Sequence, residues 1–115
     1  MRYFANGWTK EKVREQVKKF NNGKRASDKT GRCLYEAKDG NRCFIGAFIP
    51  EGHQALDAKC EAGELMCEYS TLQKLMPFDN YEDLQDFQLC HDIGSKNFDD
   101  DTYTALDDFL KECSE

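Results

Sequence analysis

The chain has 115 residues, of which 33% are charged, 39% hydrophobic and 12% aromatic. That is the length of one small domain (1–115), with enough apolar and aromatic material to exclude wholesale disorder. No run of about 18 apolar residues exists to cross a membrane, and Met1 to Gly7 lack the apolar core of a secretory signal. The formal net charge of −6 hides a split. Residues 1–50 carry 12 Lys/Arg and 5 Asp/Glu, a balance of +7, whereas residues 51–115 carry 4 Lys and 17 Asp/Glu, a balance of −13. Two oppositely charged surfaces on one small body are therefore expected.

Thr9 is placed as a helix N-cap, with Trp8 before it positioned to staple onto Val13. Val13, Val17 and Phe20 follow at helical spacing, predicting a helix over roughly 10–21 that stops before Gly23. Its opposite face carries Lys10, Lys12, Arg14, Lys18 and Lys19, and the aperiodic loop after it adds Lys24, Arg25, Lys29 and Arg32.

Residues 33–49, centred on Asp39-Gly40, predict a β-hairpin. A two-residue turn would set Glu36 opposite Cys43. A three-residue turn with Gly40 left-handed would pair Glu36 with Arg42, and is preferred because it sets opposite charges across the strands. Both hairpin faces are apolar, so a covering layer or a third strand is expected, for which Tyr3-Phe4 is the candidate.

After Pro50 the pattern turns helical. Ala55 to Cys60 predicts a short helix stopped at Gly63, and Ser70 caps a second that Pro77 ends. Asn80 caps a third, with Leu84, Phe87 and His91 on one stripe and Asp79, Asp83 and Asp86 on another. Asp99, Asp100 and Asp101 precede a last helix with Tyr103, Leu106, Phe109, Leu110 and Cys113 inward and Asp107, Asp108 and Glu112 on its polar side. The expected class is α+β: an N-terminal helix, a central β-hairpin, then three to four short helices.

The six cysteines, Cys33, Cys43, Cys60, Cys67, Cys90 and Cys113, are separated by nine, sixteen, six, twenty-two and twenty-two residues. None forms the Cys-x-x-Cys pair of a zinc knuckle or redox site, and reduced core thiols are expected. A mixed metal site would draw on His53, Cys60, Cys67, Cys90 and His91. Side chains of helix neighbours diverge by about 100°, so neither Cys90-His91 nor His91-Asp92 is expected to face each other as a catalytic pair. Near a helix C-terminus, His91 is placed where the dipole favours a positive ring. No phosphate loop, His-Glu-x-x-His or Gly-x-Ser-x-Gly element occurs, no catalytic residues are assigned and no cofactor is expected.

Gly31 to Glu51 resembles a segment of small uncharacterised proteins of tailed bacteriophages and prophages. The shared pattern is Gly-x-Cys-x-Tyr, a Gly turn, Cys-x-x-Gly, then an apolar stretch ending in Ile-Pro and an acidic residue. It falls on Cys33, Tyr35, Gly40, Cys43, Gly46, Ile49, Pro50 and Glu51. A later Leu-Gln-x-x-His-Asp helix is matched, with altered spacing, by Leu84-Gln85 and His91-Asp92. The chain departs from the pattern at Ala47, where the group often has Cys, and at Glu36, where it has Arg. The resemblance implies a phage origin and a bacterial host cytoplasm, and supplies no activity.

These readings lead to a binding protein rather than an enzyme. The first expectation is an acidic helical surface of Asp79, Asp83, Asp86, Asp99 to Asp101, Asp107, Asp108 and Glu112 that docks on a host or defence protein, as an inhibitor or nucleic-acid mimic. The alternative is nucleic-acid binding through Lys10, Arg14, Lys18, Lys24, Arg25, Lys29 and Arg32. A hydrolase or metal-binding role stands behind both.

Overall fold

The computed structural model describes residues 2–30, 33–93 and 101–114. In chain order these form strand β1 (Arg2–Tyr3), helix α1 (Lys10–Phe20), helix α2 (Ala62–Glu68), helix α3 (Tyr81–Ile93), helix α4 (Thr102–Lys111) and strand β2 (Cys113–Ser114). Single 3-10 turns lie at Gly46–Phe48, Gln54–Asp57 and Ser70–Leu75. The class is α+β, but among the described residues the only sheet is the two-stranded parallel pair β1–β2, with Arg2 opposite Cys113 and Tyr3 opposite Ser114. The first residues therefore join the end of the chain and not the 33–49 segment.

The central β-hairpin is not formed, which corrects the sequence expectation. Its turn exists: Gly40 takes φ +87°, Ala37 N–H donates to Asn41 O at 2.8 Å, and Glu36 faces Arg42 across an isolated antiparallel bridge. Pairing stops there because residues 43–49 are buried on every side, with no polar face to alternate. They coil into the 3-10 turn instead. Gly46 allows the coil to close: a Cβ there would stand 2.1 Å from the Tyr35 carbonyl oxygen.

The helices follow their caps. Thr9 Oγ1 accepts from Lys12 N–H at 3.2 Å, and Asp101 Oδ1 accepts from Tyr103 N–H at 2.9 Å. Asn80 Oδ1 receives Glu82 N–H at 2.7 Å. The helix expected over 55–60 is a 3-10 turn ending at Asp57, and α2 runs through Gly63 rather than stopping there. The segment after Ser70 is likewise 3-10. Trp8 packs edge-on against Phe48 at 4.8 Å and donates Nε1–H to Leu75 O.

Apolar side chains from all four helices and from residues 43–49 form one cluster. Phe87 on α3 is at its centre, with ring centroids of Phe44, Phe48, Phe78 and Phe109 all within 6.0 Å. Truncating it removes a fully buried ring from a close-packed interior.

Two stability outcomes follow. Phe87→Ala should cost on the order of 4 kcal/mol, and Gly46→Ala about 3 kcal/mol because the methyl meets backbone rather than a movable side chain. Urea denaturation reads both as a lower midpoint with an unchanged slope.

Candidate functional site

The constellation that carries chemistry-bearing groups is Cys33, His91 and Asp92, whose ligating atoms all lie within 4.8 Å of one another. It is the single such group among the described residues. Cys33 comes from the start of the 33–49 segment, while His91 and Asp92 end α3. The residues singled out earlier for a metal, Cys60, Cys67, Cys90 and His91, are not brought together. His53 is committed elsewhere: its Nδ1 accepts from Ala55 N–H at 3.0 Å and its ring leans on Tyr69.

Two expectations about His91 are overturned. Its Nδ1 lies 2.9 Å from Asp92 Oδ1, although the residues are neighbours on a helix. Nδ1 is the ring nitrogen nearest the backbone, so a carboxylate leaning back across the last turn reaches it. The other nitrogen, Nε2, accepts the backbone N–H of Ala26 at 3.0 Å in a fully buried position. That bond fixes the neutral tautomer with the proton on Nδ1, donated to Asp92. A positive ring would turn a second donor toward Ala26 N–H.

The same bonding closes the group to catalysis and to metals. A metal on Nε2 would need the lone pair that Ala26 uses. A metal on Nδ1 would force the proton onto Nε2, against the Ala26 donor. Cys33 is no nucleophile near neutral pH: burial, aided by a hydrogen bond to Asp92, pushes its thiol up to about 12. Gln88 Nε2 also donates to Asp92 at 3.3 Å, and its Oε1 accepts Ile45 N–H at 3.1 Å. The group therefore works as a clasp between α3 and the two irregular segments around Ala26 and Ile45. Sequence reasoning missed Cys33, Gln88 and Asp92 as its members. The readable signal was a pair of polar residues, Gln88 and His91, three apart on a helix that also carries Leu84 and Phe87.

The acidic residues expected on one free surface divide. Arg2 reaches Asp83 at 3.5 Å, Asp86 at 2.8 Å and Glu112 at 3.4 Å, and its guanidinium lies over Phe109 at 4.9 Å. Asp107 holds Arg14 at 2.8 Å, and Asp108 lies 3.8 Å from Lys111. Asp101 caps α4, and hydrogen bonds from Thr104 hold its carboxyl below the usual carboxylate range. Asp79 is exposed. Asp99 and Asp100 lie outside the described residues.

The basic strip is also partly committed. Besides Arg14, Lys18 sits over the Tyr103 ring at 5.3 Å and Arg25 donates to Asp92 O at 2.8 Å. Lys10 is half-buried at the start of α1, Lys24 and Lys29 are exposed, and Arg32 lies outside the described residues.

Beside the clasp a groove of about 590 Å³ opens between α2 and α3, lined by both helices and by residues 33–35. Tyr35 crosses its wall to donate its hydroxyl to Cys60 O. No helix among the described residues is long and apolar enough to span a membrane. Compared with family models, curated proteins and solved structures, the chain shows no match.

Two outcomes test the clasp, and a third tests the burial of the segment it holds. His91→Phe keeps an aromatic ring but strands Ala26 N–H and Asp92, and should cost about 2–4 kcal/mol by urea titration. In the native protein near pH 8, iodoacetamide should label the exposed Cys67 first and Cys33 roughly tenfold more slowly, as peptide mapping would show. Burial also pushes the Cys43 thiol up to about 12 from an ordinary value of 9.0. Folding strength held below pH 9 is therefore lost as pH rises from 9 toward about 12, where the unfolded chain ionises first. Urea midpoints taken across that window should fall, and fall less in Cys43→Ala.

Proposed function

We propose that this chain is a small binding protein that docks through exposed carboxylates of a rigid helical body on a basic surface of another protein. The observation that carries the reading is the distribution of unneutralised acid. Glu61, Glu64 and Glu68 are exposed on α2 and at its N-cap, at spacings of three and four that share a helix face. Among the described residues none of the three has a cation within 4.0 Å. The carboxylates of α3 and α4, in contrast, largely face Arg2, Arg14 or Lys111. Arg2 offsets only one of the three charges it meets, so α3 keeps a negative field of its own, and α2 differs in presenting carboxylates that no described cation contacts.

The resemblance of residues 31–51 to small phage proteins supports a partner in a bacterial host, a host or defence protein that the chain would occupy and inhibit. Nucleic-acid binding has less support. Arg14, Lys18 and Arg25 already have intramolecular partners, leaving a thin and scattered set of cations for phosphate contacts.

Affinity capture from bacterial lysate tests the reading. Wild type should retain a partner that elutes as salt rises, and Glu61→Gln/Glu64→Gln/Glu68→Gln should lose it. Lys12→Gln/Lys24→Gln/Lys29→Gln should keep it, and no variant should retard random DNA in a gel. Unchanged capture by the glutamine triple variant would overturn the proposal.

A further inference from the structure

The α2–α3 groove does not belong to the Cys33–His91–Asp92 clasp, although Cys33 and Asp92 form its inner end. Its volume of about 590 Å³ falls in the range of sites that seat a side chain or small ligand. The floor is apolar, from Leu34 and Ala62, and Leu89 stands at the α3 edge with 47% of its surface exposed. The rim is acidic, from Glu61 and Glu64, with Lys59 the one cation in the lining. Asp92, which His91 and Gln88 hydrogen-bond, also lines the groove.

We infer that this groove is the anchor point of the docking surface. It takes a basic segment of a partner protein, with an apolar side chain seated beside Leu89 and a Lys or Arg against Glu61 and Glu64. The inference rests on the binding reading above and adds the place and chemistry of contact. Charge complementarity chooses the occupant. Phosphate-bearing ligands and acidic peptides meet unpaired carboxylates at the rim, whereas a cation beside an apolar group meets both features of the groove. Leu89 also gains a reason to be exposed: it lies on the α3 stripe of Gln85, Gln88, Leu89 and Asp92 that lines this groove.

Fluorescence anisotropy with three short labelled peptides tests it: alternating Lys/Leu, alternating Lys/Ser and alternating Glu/Leu. The Lys/Leu peptide should bind, the Lys/Ser peptide should bind roughly tenfold more weakly, and the Glu/Leu peptide should not bind. Leu89→Ser alters an exposed position and Glu61 makes no side-chain cap bond, so the groove variants should remain folded. Leu89→Ser and Glu61→Gln/Glu64→Gln should each weaken Lys/Leu binding roughly tenfold, while Asp79→Asn/Glu82→Gln, the same charge change off the groove, should leave it within about twofold. Tight Lys/Leu binding that ignores the groove variants, or equal binding of Lys/Ser, would sink the groove and leave the acidic-surface reading standing. Failure of both lysine peptides to bind would remove the two together.

Discussion

Asn21, Ala26, Tyr35 and all of residues 41–49 are buried, yet the described residues between 21 and 49 form neither a helix beyond one 3-10 turn nor a sheet, and buried peptide groups must still find partners. Side chains supply them. Asn21 Nδ2 donates to Lys24 O and Arg42 O, while its Oδ1 accepts from Gly23 N–H and the Thr102 hydroxyl. Asn41 accepts from Asn22 N–H and donates to Lys24 O. Arg42, with a side chain only 3% exposed, pairs with Glu36 at 3.0 Å and donates to Ile49 O at 2.9 Å. Gln16 donates to Ala47 O. His91 and Gln88 complete the set from α3 at Ala26 and Ile45. Helices α1, α3 and α4 thus hold an irregular layer in place of a sheet ladder.

That constraint decides what the chemistry-bearing residues are free to do. His91 has both ring nitrogens in use, Asp92 accepts from Cys33, Gln88 and His91, and Cys33 is held as a thiol. Removing one partner from such a network leaves a buried polar group unpaired, which costs more than the bond itself contributes. A cluster that resembles a catalytic triad by composition is therefore a fastening. The docking proposed above lies instead at α2, the groove beside it and their exposed carboxylates.

The parts legible in the sequence were local. Thr9, Asn80 and Asp101 cap helices because a cap needs only its own next turn, and Asp39-Gly40 makes its turn for the same reason. The hairpin failed because Cys43 to Ile49 reads as an apolar strand, while an irregular segment buried on all sides has the same composition. The polar residues that betray it, Asn21, Arg42, Gln88 and His91, are far apart in sequence. The acidic surface was legible as density and not as availability. Arg2 meets Asp83, Asp86 and Glu112 only because β1 pairs with β2, a contact across more than a hundred residues. Glu61, Glu64 and Glu68 gain weight because no cation among the described residues folds back onto them.

Amide hydrogen exchange by NMR tests the central claim most directly. The amides of Ala26 and Ile45 lie outside every helix and strand, and their acceptors are His91 Nε2 and Gln88 Oε1. The account predicts that both exchange as slowly as core amides of α3, and that His91→Phe releases Ala26 while α3 stays protected. Exchange of both amides at the rate of an open loop in the wild-type protein would contradict it.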